Sequence, residues 1–136
     1  MSPRLVARCA SLVFLYTTMR CAMKTYTGTC HCGEVVFAFE ADEISKGLRC
    51  NCSICKRLGV VMSMKVAPEQ FRVLAGRESV KVYLFGDKVV PHSYCDRCGI
   101  YVFYENEQQC RVNLGCVDEV DTFTIEIVQY DGRNLL

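Results

Sequence analysis

Hydrophobic and polar residues alternate along most of the chain from residue 23 onward, with the two-residue period of a β-strand. Within residues 34–40, for example, Val35, Phe37 and Phe39 lie on one face. The same alternation recurs in residues 60–66, 79–85, 111–116 and 122–128, and residues 101–104 are aromatic and β-prone. The pattern therefore predicts seven to nine short strands, and it places Phe123, Ile125 and Ile127 together on one face of the last.

Turn signals separate these segments, and helical signals are few. Glycine and polar residues cluster at residues 75–78, 86–87 and 131–132, as they do in turns. Residues 53–58 could form a short helix, and Pro68 favours the start of another. No internal repeat or low-complexity linker interrupts residues 23–136. The sequence predicts a single, mainly β domain there, with little helix.

The first 22 residues have a different composition. They carry Arg4, Arg8 and Arg20 but no acidic residue, and residues 10–16 form a short apolar run. This run is too short to span a bilayer, and the residues after it make a poor cleavage site for a secretory signal. We expect a loosely held extension or a misassigned start, with a signal or transit peptide as the less favoured alternative. Without a signal the protein is expected to be cytoplasmic, where cysteine clusters indicate metal or redox chemistry rather than disulfides.

Composition narrows the classes of function. The chain has 136 residues, of which 51% are hydrophobic, and 16 basic against 15 acidic residues give a formal charge of +1. This balance argues against disorder, and it lacks the basic excess of a nucleic-acid or membrane-surface binder. The distinctive feature is cysteine, with eleven residues. We therefore look for function in the cysteine spacing.

Seven of the cysteines fall into three tight clusters. These are Cys30 and Cys32, then Cys50, Cys52 and Cys55, then Cys95 and Cys98. Zinc binds thiolate sulfur at about 2.3 Å in tetrahedral geometry, so two sulfurs on one ion lie about 3.8 Å apart. Cysteines one or two residues apart on a bent backbone can meet that separation, and Gly33 and Gly99 follow two of the clusters where the backbone must turn.

The number of ligands favours two sites of different kinds. The pairs Cys30 with Cys32 and Cys95 with Cys98 would make a closed, structural zinc site, which would staple early and late parts of a small core. Cys50, Cys52 and Cys55 would make a three-ligand site with one open position, as in catalytic zinc sites. Buried free thiols are one alternative. A disulfide framework is another, weakened because bridges within Cys-x-Cys are strained and seven is odd.

The remaining cysteines and the histidines are less informative. Cys116 alternates with apolar residues and is expected in the core, and Cys110 is expected to be a free thiol. His31 lies between two proposed ligands, where it either faces the second metal or the substrate or is a surface group. His92 either supplies a fourth ligand to the open site or packs and hydrogen-bonds near the metals.

Three segments of the chain resemble the glutathione-dependent formaldehyde-activating enzyme family, which includes centromere protein V. They are residues 28–33 (GTCHCG), 49–57 (RCNCSICKR) and 92–100 (HSYCDRCGI), and the resemblance spans about residues 24–134. It implies a β-tent fold of several curled antiparallel sheets stapled by zinc. It also implies two zinc ions per chain, one on Cys30, Cys32, Cys95 and Cys98, the other on Cys50, Cys52 and Cys55.

The family's founding activity is the condensation of formaldehyde with glutathione. The resemblance therefore implies a zinc-dependent carbon–sulfur lyase or synthase that forms or cleaves a thiol–aldehyde adduct such as S-hydroxymethylglutathione. The open zinc held by Cys50, Cys52 and Cys55 could bind the substrate thiol or polarise the oxygen of a small aldehyde, and its three soft thiolate ligands favour the thiol. Lys56 and Arg57 could meet a carboxylate of glutathione, or they form an exposed basic pair. The alternatives are a non-catalytic carrier of glutathione or another thiol, and a zinc-dependent protein-interaction module.

Overall fold

The fold is known from a computed structural model, which describes residues 23–86 and 89–135. The expected N-terminal extension lies outside the described residues. Among these, the chain forms nine strands: β1 (Lys24–Thr29), β2 (Val36–Ala41), β3 (Lys46–Cys50), β4 (Phe71–Ala75), β5 (Val80–Tyr83), β6 (His92–Cys95), β7 (Tyr101–Glu105), β8 (Cys110–Val112) and β9 (Glu126–Tyr130). The helices are α1 (Ser53–Leu58) and α2 (Gly132–Leu135), with 3₁₀ turns at Pro68–Gln70, Arg77–Ser79 and Leu114–Cys116.

The strands form three sheets. Two are antiparallel, with strand orders β1-β2-β4 and β5-β6-β7-β8. The predicted mainly β class with several antiparallel sheets and little helix is thus confirmed. The third sheet pairs β3 with β9 in parallel. Alternation within a strand carries no information about the direction of its partner, so the sequence did not indicate this pair.

A core of aromatic and β-branched side chains joins the two antiparallel sheets. Val35, Phe37 and Phe39 are fully buried, as the alternation predicted. The ring of Phe37 packs edge-on against Phe103 of β7, with centroids 5.6 Å apart. Cys116 also lies in this core, as predicted, and Cys110 is buried with it. The core therefore fixes β2 against β7, the strands that follow the first and last cysteine pairs.

Two of the predicted strands differ in the structure. Residues 60–66 make only isolated bridges, from Met62 to Leu48 and Asn113 and from Val66 to Cys110. The last strand begins at Glu126 rather than at residue 122. Phe123 therefore lies in the preceding turn and is 97% exposed, so its predicted place on a shared strand face with Ile125 and Ile127 was wrong. The Asp121 carboxylate accepts the Phe123 N–H at 2.9 Å and holds that turn. Within the described residues, no helix is long and apolar enough to cross a membrane.

Candidate metal and substrate site

The structure brings together Cys30, Cys32, Cys95 and Cys98, which we call the four-thiol site. Their sulfur atoms all lie within 4.8 Å of one another. The sulfur of Cys32 is 3.6 Å from that of Cys30 and 3.7 Å from that of Cys95. These separations are close to the 3.8 Å or so that two thiolates on one tetrahedral zinc require. The sequence predicted this grouping, and the role of the four residues as metal ligands stays a prediction.

Two similar backbone turns carry these cysteines. The N–H of Cys30 donates to the Val35 carbonyl at 3.1 Å, and the N–H of Cys95 donates to the Ile100 carbonyl at 2.9 Å. The glycine after the second cysteine of each pair has a left-handed backbone, with φ of 83° at Gly33 and 79° at Gly99. That conformation is accessible to glycine with little strain. The turns explain why each pair of sulfurs points to the same place.

Backbone amides also favour ionised sulfur in the four-thiol site. The Val35 N–H lies 3.3 Å from the Cys30 sulfur. Burial opposes ionisation of Cys98, but N–H groups of Cys32 and Ile100 outweigh it and lower its pKa to about 6. The Glu34 N–H favours ionisation of Cys32, but burial and the three other thiols raise its pKa to about 12. Four adjacent thiols therefore cannot all ionise unless a cation joins them.

Cys50, Cys52 and Cys55 form the second group, which we call the three-thiol site. Their sulfur atoms lie within 4.8 Å of one another, and all three residues are half-buried. Cys50 ends β3, Cys52 is the residue before α1, and Cys55 lies on the first turn of α1. Among the described residues, no histidine, aspartate or glutamate joins this group. The site thus has the composition of a three-ligand metal site.

The surroundings at the start of α1 shift the pKa values of Cys52 and Cys55 in opposite directions. Burial raises the pKa of Cys52, but N–H groups of Cys55 and Ile54 at the helix N-terminus reverse this effect, so its pKa is lowered. Burial and the neighbouring sulfurs raise the pKa of Cys55. Cys52 is therefore the thiol that ionises first.

The C-terminal turn holds the loop of the three-thiol site. The Asn51 side-chain amide donates to the Asp131 carboxylate at 2.9 Å and accepts the Arg133 N–H at 2.9 Å. The Asn51 N–H donates to the Tyr130 carbonyl at 3.2 Å. Hydrogen bonds from Asn134 and Asn51 lower the pKa of Asp131, so it is ionised at neutral pH. Residues about 80 positions later in the chain therefore fix the residue between two of the thiols.

A buried pair, His92 and Tyr101, lies near the three-thiol site. His92 Nδ1 is 2.9 Å from the Tyr101 hydroxyl, and the His92 ring stacks on Phe85 with centroids 5.5 Å apart. Burial lowers the pKa of His92, and burial raises that of Tyr101, with further contributions from Cys55 and Cys52. His92 thus packs and forms a hydrogen bond, and it is not grouped with the three thiols as a fourth ligand. Sequence analysis did not single out Tyr101, since an aromatic residue in a strand usually signals only packing.

The remaining candidate residues surround these groups. His31, Lys56 and Arg57 are all exposed. Arg57 folds back on α1, where its guanidinium donates to the Ser53 carbonyl at 2.8 Å. Burial raises the pKa of both Cys110 and Cys116 to about 12, so these two remain protonated and unreactive. Their separation from the seven clustered cysteines agrees with the sequence analysis.

The donor chemistry fits zinc. Both sites consist of thiols alone, which are soft ligands, and the measured sulfur separations in the four-thiol site suit a tetrahedral ion. Structurally, this is a small β protein with two cysteine clusters that could each hold a metal ion.

Comparison with known proteins identifies the family. A family model described as glutathione-dependent formaldehyde-activating enzyme matches residues 25–132. The chain therefore belongs to this family, as its motifs indicated. It is also similar to a solved structure, a crystal structure of a Rhodobacter sphaeroides protein that was a structural genomics target. The two are 29% identical with a TM-score of 0.67, and the match covers 75% of this chain and 99% of that one.

Proposed function

We propose that the protein is a zinc-dependent carbon–sulfur lyase or synthase that forms or cleaves a thiol–aldehyde adduct, such as S-hydroxymethylglutathione. The observation that carries the proposal is the three-thiol site, with three half-buried sulfurs within 4.8 Å in a chain of this family. Cys50, Cys52 and Cys55 would hold the catalytic zinc, and Cys30, Cys32, Cys95 and Cys98 the structural one. Zinc with an open position would supply a Lewis acid that lowers the pKa of a substrate thiol.

The reaction needs no redox partner. In the synthetic direction the thiol sulfur bonds to the aldehyde carbon, the carbonyl π bond breaks, and the thiol proton ends on the oxygen. Cleavage reverses each step. The chain's part is to bring the two reactants together, which can supply a large share of the barrier reduction. Lys56 and Arg57, exposed on α1 beside Cys55, are proposed to meet a carboxylate of glutathione.

Exchange NMR on the zinc-loaded protein tests this function. Formaldehyde, glutathione and their adduct are mixed at equilibrium, and the rate of interconversion is measured with a catalytic amount of protein. The proposal expects faster exchange with the native protein and no acceleration with Cys52→Ser. Glutathione binding with an unchanged exchange rate would instead favour a carrier. If the protein neither binds glutathione nor accelerates the exchange, both functions are refuted.

A further inference from the structure

A cavity of about 570 Å³ is lined by residues that flank the three-thiol site in the chain, among them Arg49, which directly precedes Cys50. None of the three cysteines lines it, but Leu58 and Gly59, which follow Cys55 by three and four residues, do. Gly99 and Ile100, which follow Cys98 of the four-thiol site, line it as well. Tyr101 lines it too, and lies near enough to Cys52 and Cys55 for their charge to affect its pKa. The volume is within the range of small-molecule sites and far exceeds what a hydroxymethyl group needs.

The walls of this cavity are mostly apolar. Leu58, Val60, Ile100 and Ile127 contribute to it, and no acidic residue does. Its polar Asn113 is already engaged, because the amide donates to the Tyr101 carbonyl at 2.8 Å and accepts the Gly115 N–H at 2.9 Å. The lining therefore suits an apolar group and offers no carboxylate for an ammonium.

Two residues of the cavity lining, Arg49 and Phe123, have side chains that a ligand could contact. Arg49 is the one charged residue of the lining, and its guanidinium forms no ion pair or hydrogen bond within the described part of the chain. Phe123 also lines the cavity, yet 97% of it is exposed. A guanidinium without a carboxylate and a phenyl ring without a packing partner are both groups that a ligand could satisfy.

We propose that this cavity holds the aldehyde-derived part of the adduct, and that it selects an aldehyde larger than formaldehyde, with an apolar body and a carboxylate. The apolar body would lie against Phe123 and the walls, and the carboxylate would meet Arg49. This inference rests on the proposed function, since Lys56 and Arg57 on the exposed side of α1 are assigned to glutathione. The cavity is then free for the group that the aldehyde contributes.

Three unreactive thioethers of glutathione test the inference without turnover. S-methylglutathione places a small group at the sulfur, S-benzylglutathione adds an apolar ring, and S-(4-carboxybenzyl)glutathione adds a carboxylate to that ring. Affinities for the zinc-loaded protein are measured by calorimetry or NMR titration. Each step of the series should tighten binding, by about tenfold for burial of the ring and again for a carboxylate paired with a guanidinium.

Variants assign the gains to residues. Arg49→Gln should remove the gain from the carboxylate and leave the affinity for S-benzylglutathione unchanged, whereas Arg49→Lys should keep much of it. Phe123→Ala should reduce the gain from the ring. Arg72→Gln and Leu74→Ala on β4 are matched controls, because both residues are exposed and neither lines the cavity. Melting temperatures confirm that each variant is folded.

The outcomes separate the two proposals. The inference is overturned if the three thioethers bind with equal affinity or if none of them binds. It is also overturned if Arg49→Gln weakens the binding of all three equally. If these results accompany faster exchange of formaldehyde with glutathione, the proposed function stands and the substrate class is wrong. If the thioethers rank as expected but the protein accelerates no exchange, the cavity is a binding site and the catalytic function fails.

Discussion

The sulfur atoms of Cys32 and Cys95 lie 3.7 Å apart, although 63 residues separate them in the chain. The contact joins the turn after β1 to the turn after β6, which belong to different sheets. Glu34 and Arg97 pair across the same two turns at 2.9 Å, but exposed ion pairs contribute little to stability. A metal ion on the four thiols would therefore tie these two turns together, in addition to the aromatic core that packs the two sheets.

Loss of one ligand should affect the two sites differently. Cys98→Ser should leave the domain largely unfolded or insoluble, because structural zinc contributes on the order of 10 kcal/mol in zinc-finger peptides. A whole domain is stable by only about 5–15 kcal/mol. Cys52→Ser affects a metal site that closes a short loop, so the domain should fold but lose its second metal and its thiol binding.

Zinc content, thermal unfolding and glutathione binding measured on both variants check this prediction. Cys110→Ser is a suitable control for cysteine replacement, since Cys110 is buried outside both sites. If the Cys52→Ser variant is unfolded while the Cys98→Ser variant is folded but inactive, our assignment of the structural and catalytic zinc must be reversed.

Gly28 should not tolerate a side chain. It lies opposite Phe37 in the β1–β2 pair, and a Cβ there would overlap the Phe37 ring, with Cε2 only 2.6 Å away. Because Phe37 is fully buried, the ring has no room to move aside. Gly28→Ala should lower the free energy of unfolding by about 1–3 kcal/mol, as overpacking does. Denaturant unfolding measures this, with Thr27→Ala on the exposed side of the same strand as the control. Equal stability of the two variants would contradict the packing argument.

His92 should make stability depend on pH. Burial lowers its pKa in the folded state, so the unfolded state binds more protons between the folded pKa and the unfolded value of about 6.5. Stability from this group is therefore complete above about pH 6.5 and is lost as pH falls through the folded pKa. Denaturant unfolding of His92→Gln between pH 5.5 and 8 should show a weaker decline on acidification than the native protein. His31→Gln, at an exposed histidine, should retain the native decline, and parallel curves for all three proteins would argue against this role.

The cysteine clusters were predictable because their chemistry is local. Cysteines two or three residues apart restrict where their sulfurs can point, so the spacing indicated three clusters, and the number of ligands then favoured joining the first cluster to the last. The alternation of Val35, Phe37 and Phe39 indicated the core strand for a similar reason. The individual clusters and the core strand thus depend on residues that are neighbours in the chain.

The features that sequence analysis missed depend on distant segments. Tyr101 meets His92 only because β7 pairs with β6, and the Asn51 side chain meets Asp131 only because β9 pairs in parallel with β3. Phe123 was misplaced because the apolar alternation continues through a turn that Asp121 fixes locally. Arg49 resembled any exposed basic residue until the fold placed it at a cavity.

Asn51 should act as a positioning residue for the three-thiol site. Its side chain links the loop between Cys50 and Cys52 to the C-terminal turn through Asp131 and Arg133. Residues that hold ligands in place typically change metal affinity by about 10–100-fold when they are removed. Asn51→Ala should therefore weaken the second zinc by a factor in that range, while the four-thiol metal is retained. Competition with a chromophoric chelator measures both affinities.

A matched asparagine controls for the loss of loop hydrogen bonds in general. Asn106 accepts the N–H groups of Gln108 and Gln109 at 2.9 and 3.0 Å in the turn between β7 and β8. Asn106→Ala should leave both metal affinities unchanged, and Asn51→Asp should keep the acceptor for Arg133 but place a second carboxylate beside Asp131. The expected order of affinity for the second metal is native, then Asn51→Asp, then Asn51→Ala. If Asn51→Ala releases both metals together, or neither, the C-terminal turn does not position this site.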